Sequence, residues 1–376
     1  MLSAESEASL LYSAKHVLPA RAKLNLSLSV LGRRADGYHD LQSVMVTLAL
    51  TDEVRILTAQ FDHSTQRDEI ADGSQKSTRA ALDSMTGFDA DAERSFSGEA
   101  TALDWRVSTN QPTIPDNQDN IAWKAALAFC RAVGISPAAM IFSVDIVKNI
   151  PQEAGLGGGS ANAAAVLRYL YRMWHRVGAN AFGIDPHHLT HTVLEKAACT
   201  TGADVPFCLR GGIAFCEGVG ERMTPLTLRS SYPVLLAIPP LAVKTADAYK
   251  RLHRARHESD VRLQPQQARF SNREALIEAW QDAFNKDALT AIAPLVNNDF
   301  VDVTVRQNPA MIRLFTALQD TGAPIVSLSG SGPACYALFE EREACRTAKL
   351  RLQKLFPNVR FINTTLSPEE DVLNLS

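Results

Sequence analysis

Apolar and polar residues first alternate regularly over residues 22–31, AKLNLSLSVL, where Leu24, Leu26 and Leu28 interleave with Asn25, Ser27 and Ser29. A period of two predicts a half-buried strand. The polar turn GRRADGYH at 32–39 follows it, and apolar runs at 44–50 and 54–57 predict further strands, so the chain opens as a meander. Residues 58–103 lose this pattern and become rich in Ser, Thr, Asp, Ala and Gly, which predicts a surface insertion. From Asn120 the spacing turns helical through Ile121, Ala125, Leu127, Ala128 and Val133, with Gly134 as a stop. Residues 140–147 predict a strand, 148–159 a loop, and 160–177 a long helix with Ala164, Leu167, Leu170, Tyr171 and Trp174 on one side and Gly178 as its cap.

A helix over 189–198, a turn at 202–206 and a strand over 207–217 complete the first part. The apolar strand at 233–238 then opens a second. Helices near 273–286, 288–295 and 308–320 follow, with strands at 325–328 and 335–339 around a glycine turn and a last helix at 342–355. The class is α+β, in two domains of residues 1–228 and 229–376, which suits a chain of 376 residues.

Composition narrows the function. The net charge of −3 gives no basic surplus of the kind that tracks a nucleic-acid backbone. The six cysteines include no C-x-x-C pair, which predicts reduced, buried thiols. The first fifteen residues lack the basic and apolar regions of a secretory signal, and no stretch approaches the roughly 20 apolar residues that span a bilayer. A cytoplasmic protein with neither nucleic-acid nor membrane partners is expected, as a monomer or homodimer.

The chemistry centres on Pro151-Gln-Glu-Ala-Gly155-Leu156-Gly157-Gly158-Gly159-Ser160-Ala161-Asn162, between a predicted strand and a predicted helix. Glycines let backbone approach a ligand closely, and unpaired N–H groups at a helix start attract phosphate. Ser160 is either the N-cap or a direct ligand to phosphate or magnesium. A Walker A loop needs Gly-Lys, which the chain lacks, and the sixth position counted from Gly155 is Ser160 rather than the Gly or Ala of a dinucleotide fingerprint.

The motif P-x-x-x-G-L-G-G-G-S-A-N resembles the ATP-phosphate loop of the GHMP kinases. Three other stretches agree with that family in order and spacing: Ala22-Lys23-Leu24-Asn25 with Gly37-Tyr38-His39, Gly202-Ala203-Asp204-Val205-Pro206, and Leu328-Ser329-Gly330-Ser331-Gly332-Pro333. The resemblance implies a ribosomal-protein-like βαβ domain followed by a ferredoxin-like α/β sandwich. It implies ATP carrying Mg2+, bound by Pro151, Gly155, Leu156, Gly157, Gly158, Gly159, Ser160 and Ala161. The acceptor it implies is a small cytidyl-linked methylerythritol, phosphorylated on its 2-hydroxyl for non-mevalonate isoprenoid synthesis.

The same resemblance makes Asp204 the catalytic base and Lys23 its cationic partner. It puts Asn25, Tyr38, His39, Thr245, Ser329 and Gly330 against the acceptor, with the Tyr38–His39 pair gripping the cytosine. Asn298-Asp299-Phe300, another family triplet, reads as a structural helix end. Arg21 stands where the family usually has Pro, and Lys244 where it tends to have a small hydroxyl residue. The competing readings are a GHMP kinase for another alcohol, against which the Tyr38–His39 pair argues, and a non-catalytic nucleotide- or RNA-binding protein, against which the charge and the Lys23–Asp204 pair argue.

Overall fold

The computed structural model describes residues 16–35, 37–61, 105–179, 189–258 and 272–369. Asp36, the first fifteen residues and most of the expected insertion, residues 62–104, lie outside the described residues.

Two sheets carry the molecule. The first has seven strands: β1 (His16–Arg33), β2 (His39–Phe61), β3 (Trp105–Thr109), β4 (Met140–Val147), β5 (Ile213–Gly218), β6 (Arg222–Pro225) and the two-residue β8 (Asn297–Asn298). β2 is one 23-residue strand where the sequence suggested two. It pairs with β1 along its length, while its opposite edge is shared between β5, against residues 41–46, and β4, against residues 53–61. The second sheet, in the order β11-β7-β10-β9, contains β7 (Pro233–Ile238), β9 (Ile325–Leu328), β10 (Cys335–Leu338) and β11 (Arg360–Thr365). Between β7 and β9 the chain returns to the first sheet as β8, which pairs in parallel with Ser27 and Leu28 of β1.

Helices α1 (Ile121–Val133), α2 (Gly158–Met173), α3 (His191–Thr201) and α4 (Val205–Arg210) accompany the first sheet. Ala20, Val54, Ile56, Val144 and Ile146 bury one face of it against their apolar sides. The other face, with Leu24, Leu26, Val44 and Phe215, packs toward Val234, Leu236, Tyr336 and Leu338 of the second sheet. Helices α5 (Thr245–Glu258), α6 (Arg273–Asn285), α7 (Leu289–Ile292), α8 (Pro309–Gln319) and α9 (Arg342–Leu355) complete the chain, with α5, α8 and α9 over the outer face of the second sheet. Among the described residues, no helix is long and apolar enough to cross a membrane.

β1 is buried on both faces rather than one. Its polar positions Asn25, Ser27 and Ser29 are at most 5% exposed. Buried polar groups of this kind need partners. Ser27 Oγ accepts from the Val44 amide, and Ser43 donates to the Ser27 carbonyl.

The strand expected over 207–217 is instead helix α4 followed by β5. The apolar run Phe207-Cys208-Leu209 fits either period, and Pro206 in the first turn favours the helix. Helix α2 ends in a π-helical turn, Trp174–Gly178, rather than at a glycine cap.

Candidate active site

Helix α2 begins at Gly158, two residues earlier than the sequence suggested. Its N-cap is Gly157, in the left-handed region with φ 67°. Ser160 is therefore the third residue of the helix and not its N-cap. The first intrahelical bond runs from the Ala161 amide to the Gly157 carbonyl at 2.8 Å, so the amides of Gly158, Gly159 and Ser160 are the donors a helix start leaves over. Glu153, Gly155 and Gly157 all have positive φ, at 51°, 75° and 67°. Alternating left-handed residues of this kind turn successive N–H groups toward one concavity. Pro151 and Gly155 to Ser160 line a cleft of about 380 Å³, across from Thr109, Ile114, Pro115 and Ile146. Ala161 lies behind the lining, 1% exposed.

An ion pair inside the protein holds the base of this loop. Asp52 on β2 is fully buried and pairs with Lys148, which leads into the loop. The other Asp52 oxygen accepts from the amides of Asn149 at 2.7 Å and Ile150 at 2.8 Å. Asn162, on the first turns of α2, closes the ring by accepting from Lys148 at 2.7 Å and donating to Asp52 at 2.9 Å. Both charges are thus compensated, as burial requires. Sequence reading missed all three residues; Asn162 belongs to the glycine motif itself and was its available signal.

Lys23 reaches the same place from β1. The β1–β2 register slips between Arg21 and Lys23. At this slip the Lys23 amide donates to the Leu156 carbonyl at 2.9 Å, tying the strand to the loop. The Lys23 stem then passes directly beneath the loop, because a Cβ on Gly157 would lie 2.7 Å from Lys23 Cγ. Lys23 Nζ lies 3.3 Å from Asp204 Oδ2 and donates to Asn25 Oδ1 at 2.7 Å. Asp204 occupies the N-cap position of α4 and is about one-third exposed.

The second glycine turn abuts the first. A Cβ on Gly155 would fall 2.2 Å from the Ser329 carbonyl oxygen, so only glycine allows the two backbones to meet. Ser329 Oγ donates to the Gly155 carbonyl at 3.0 Å, and the Gly330 amide donates to Asn25 Oδ1 at 3.0 Å. Asn298 donates to the carbonyls of Leu328 and Gly330, at 2.7 and 2.9 Å. The Asn298 triplet thus anchors this turn from β8 and leads into a helical turn, where the sequence suggested a helix end. Thr245 opens α5 with its hydroxyl 3.2 Å from that of Ser331.

His39 opens β2 and Tyr38 immediately precedes it. Tyr38 is 62% exposed. His39 stacks on Tyr249 of α5, with ring centroids 4.2 Å apart and planes 18° from parallel. Tyr249 in turn meets Phe300 edge-on. Sequence reading did not find Tyr249, one helical turn beyond Thr245. Burial, followed by the charges of Arg33, His253 and Arg256, holds the His39 pKa below its ordinary value. Burial and the Asp204 charge push the Tyr249 hydroxyl up to about 12. Among the described residues, no three of His, Cys, Asp or Glu are grouped to hold a metal ion.

Comparisons with known proteins find relatives along most of the chain. The family described as GHMP kinases N terminal domain matches residues 120–212, and GHMP kinases C terminal matches residues 273–358. The 4-diphosphocytidyl-2-C-methyl-D-erythritol kinase of Clostridium kluyveri is 30% identical over 86% of this chain and 91% of its own length. That of Caldicellulosiruptor saccharolyticus is 31% identical over 94% and 98%. A crystal structure of 4-(cytidine 5'-diphospho)-2C-methyl-D-erythritol kinase superposes with a TM-score of 0.60 at 26% identity, covering 94% of this chain and 99% of that one. A homoserine kinase from Cytophaga hutchinsonii, 16% identical with a TM-score of 0.58 over 93% of both chains, shares the fold.

Proposed function

The chain belongs to the GHMP kinase family, and from that premise we propose that it transfers the terminal phosphoryl group of ATP to the 2-hydroxyl of 4-(cytidine 5'-diphospho)-2-C-methyl-D-erythritol. The observation that carries the reading is the path of Lys23, whose stem lies under Gly157 while its ammonium reaches to 3.3 Å from Asp204. One side chain therefore joins the phosphate cradle to a carboxylate.

In this reading the free amides of Gly158, Gly159 and Ser160 hold phosphate oxygens, and the cleft walled by Ile114, Pro115 and Ile146 takes the purine. Asp204 accepts the proton of the acceptor hydroxyl. Lys23 orients that hydroxyl and offsets charge on the transferring group. Asn25 keeps the Lys23 ammonium in place. The His39–Tyr249 stack, with Tyr38 exposed beside it in sequence, offers aromatic surface for the cytosine.

Thr245, Ser329 and Gly330 bound the acceptor from the second half. The division of the chain at residues 228 and 229 belongs to the same reading, supported by β7 opening the second sheet.

Magnesium arrives with the nucleotide. The donor set fits that role, since Mg2+ is usually held by phosphates and waters plus one or two protein oxygens. Ser160, Asp119 and Glu153 are oxygen donors on the lining of the cleft. The ion would neutralise charge on the phosphates.

The test is ATP consumption measured against a panel of alcohols. The cytidyl-linked methylerythritol is expected to be turned over in clear preference to mevalonate and homoserine. A preference for either of those would overturn the substrate assignment while leaving the family intact.

A further inference from the structure

An Asp at a helix N-cap ordinarily turns its carboxylate onto its own helix. Asp204 makes no such bond to α4. Its carboxylate is directed at Lys23 instead. Helix α4 has only six residues, too few for helix propagation to hold it, and its N-terminal side chain is committed elsewhere. Its position must be fixed from outside.

The buried guanidinium of Arg168 meets the other end. Arg168 extends from the middle of α2 and donates through Nη1 to the carbonyls of Cys208 at 2.8 Å and Leu209 at 3.3 Å. These carbonyls belong to the last turn of α4, where a helix leaves acceptors without intrahelical donors and where positive charge is favoured. The second arm, Nη2, lies 3.5 Å from the carbonyl of Pro19 on β1, four residues before Lys23. One side chain thus bridges the helix whose start forms the phosphate cradle, the helix that carries Asp204 and the strand that carries Lys23.

The geometry points to Arg168 as a positioning residue that sets the Lys23–Asp204 distance relative to the cradle. This rests on the assignment of those two residues to phosphoryl transfer. Arg168 is not among the residues that line the nucleotide cleft. Its effect therefore belongs to the alignment of the transfer step and not to nucleotide affinity, since small misplacements of reacting groups cost rate steeply. A residue that merely fastened the core would lower the melting temperature and leave turnover of the folded enzyme alone.

The experiment measures kcat and KM for ATP in Arg168→Met, which keeps an unbranched stem without donors, and in Arg168→Lys, which keeps the charge without the planar fork. Both are assayed well below their melting temperatures, alone and combined with Asp204→Asn. The Met variant is expected to lose kcat by about 30-fold and the Lys variant by about 5-fold, with KM for ATP changed less than about 2-fold. In the Asp204→Asn background the same substitutions are expected to change kcat by less than about 2-fold, because the alignment they disturb has no base left to serve. If the Met variant does not fold, the Lys variant decides alone.

Wild-type kcat in the folded variants, or an undiminished loss in the Asp204→Asn background, overturns the proposal. A rise in KM for ATP without loss of kcat overturns it too. Full activity of Asp204→Asn alone would instead overturn the assignment of the base beneath it, a distinct result.

Discussion

Lys23 and Asp204 form an unequal pair: their charges are 3.3 Å apart, yet the lysine side chain is 4% exposed and the aspartate 32%. The lysine is enclosed by the glycine loop and Asn25, while the carboxylate opens outward. In the proposed transfer the base must meet a substrate that arrives from solvent, whereas the cation that orients it works best where water is excluded. The β1 register slip, the Leu156 carbonyl and the Gly157 backbone together produce this asymmetry.

Replacing Asp204 by Asn keeps the shape of the side chain and removes its basicity. Turnover is expected to fall by about 10²- to 10⁴-fold, the usual contribution of a positioned base. Binding of ATP, followed by calorimetry, is expected to remain. Lys23→Met is expected to lower kcat over a comparable range. Retention of near-normal kcat in either variant would remove that residue from the transfer step.

The meeting of the two glycine turns predicts a sharp difference between neighbouring glycines. In Gly155→Ala the methyl group would lie 2.2 Å from a backbone oxygen, at φ 75°. The left-handed conformation alone costs about 1–2 kcal/mol for an L side chain, and the collision forces the turns apart besides. A clear drop in melting temperature and a raised KM for ATP are expected. At Gly159 the nearest atom to an added Cβ is 3.5 Å away and the backbone is helical. Gly159→Ala is therefore expected to keep or gain stability, by up to about 1 kcal/mol. Equal melting temperatures for the two variants would contradict this account of the contact.

Much of the fold was legible where one period ran uninterrupted. The strand at Met140–Val147 and the helix at Arg342–Leu355 were expected with these bounds. Periodicity failed where burial was two-sided or an element was short. Phe207-Cys208-Leu209 suits a strand as well as the helix it forms. Helix α5 escaped because its apolar side rests on few residues, among them Ala248 and Leu252. Within the site, the motifs brought Lys23, Asn25, Asp204 and the glycine turns into view, and the fold places them together. Asp52 and Tyr249 were invisible for a physical reason. Each acts through a partner remote in sequence, Lys148 and His39 respectively, and neither lies in a motif.

Asp52 supplies a prediction about the loop's foundation. Removing it would leave Lys148 buried without its counter-charge and would free the amides of Asn149 and Ile150. Breaking a buried pair from one side costs about 3–5 kcal/mol. Asp52→Ala is expected to lose stability of that order in denaturant unfolding, with nucleotide binding weakened in whatever folds. The double variant Asp52→Ala with Lys148→Met removes both charges and is expected to recover part of the loss. A double variant less stable than the single would show that the uncompensated charge is not the cause.

His39 gives a prediction in pH. Its pKa is lowered in the folded protein, first by burial and then by Arg33, His253 and Arg256. The folded state therefore prefers the neutral ring, which keeps one donor and one acceptor, as the proposed grip on a pyrimidine edge requires. The stability this contributes is complete above the unfolded value of about 6.5 and is lost as pH falls from there through the lower folded pKa. A His39 resonance followed by NMR is expected to titrate with a midpoint below 6.5, and cytidyl affinity is expected to weaken over the same acid range. In His39→Asn, the part of the stability loss between neutral and mildly acid pH that His39 causes should disappear. A midpoint at or above 6.5 would mean that burial and the cationic neighbours do not govern the ring's charge, and the neutral grip on the base would have to be abandoned.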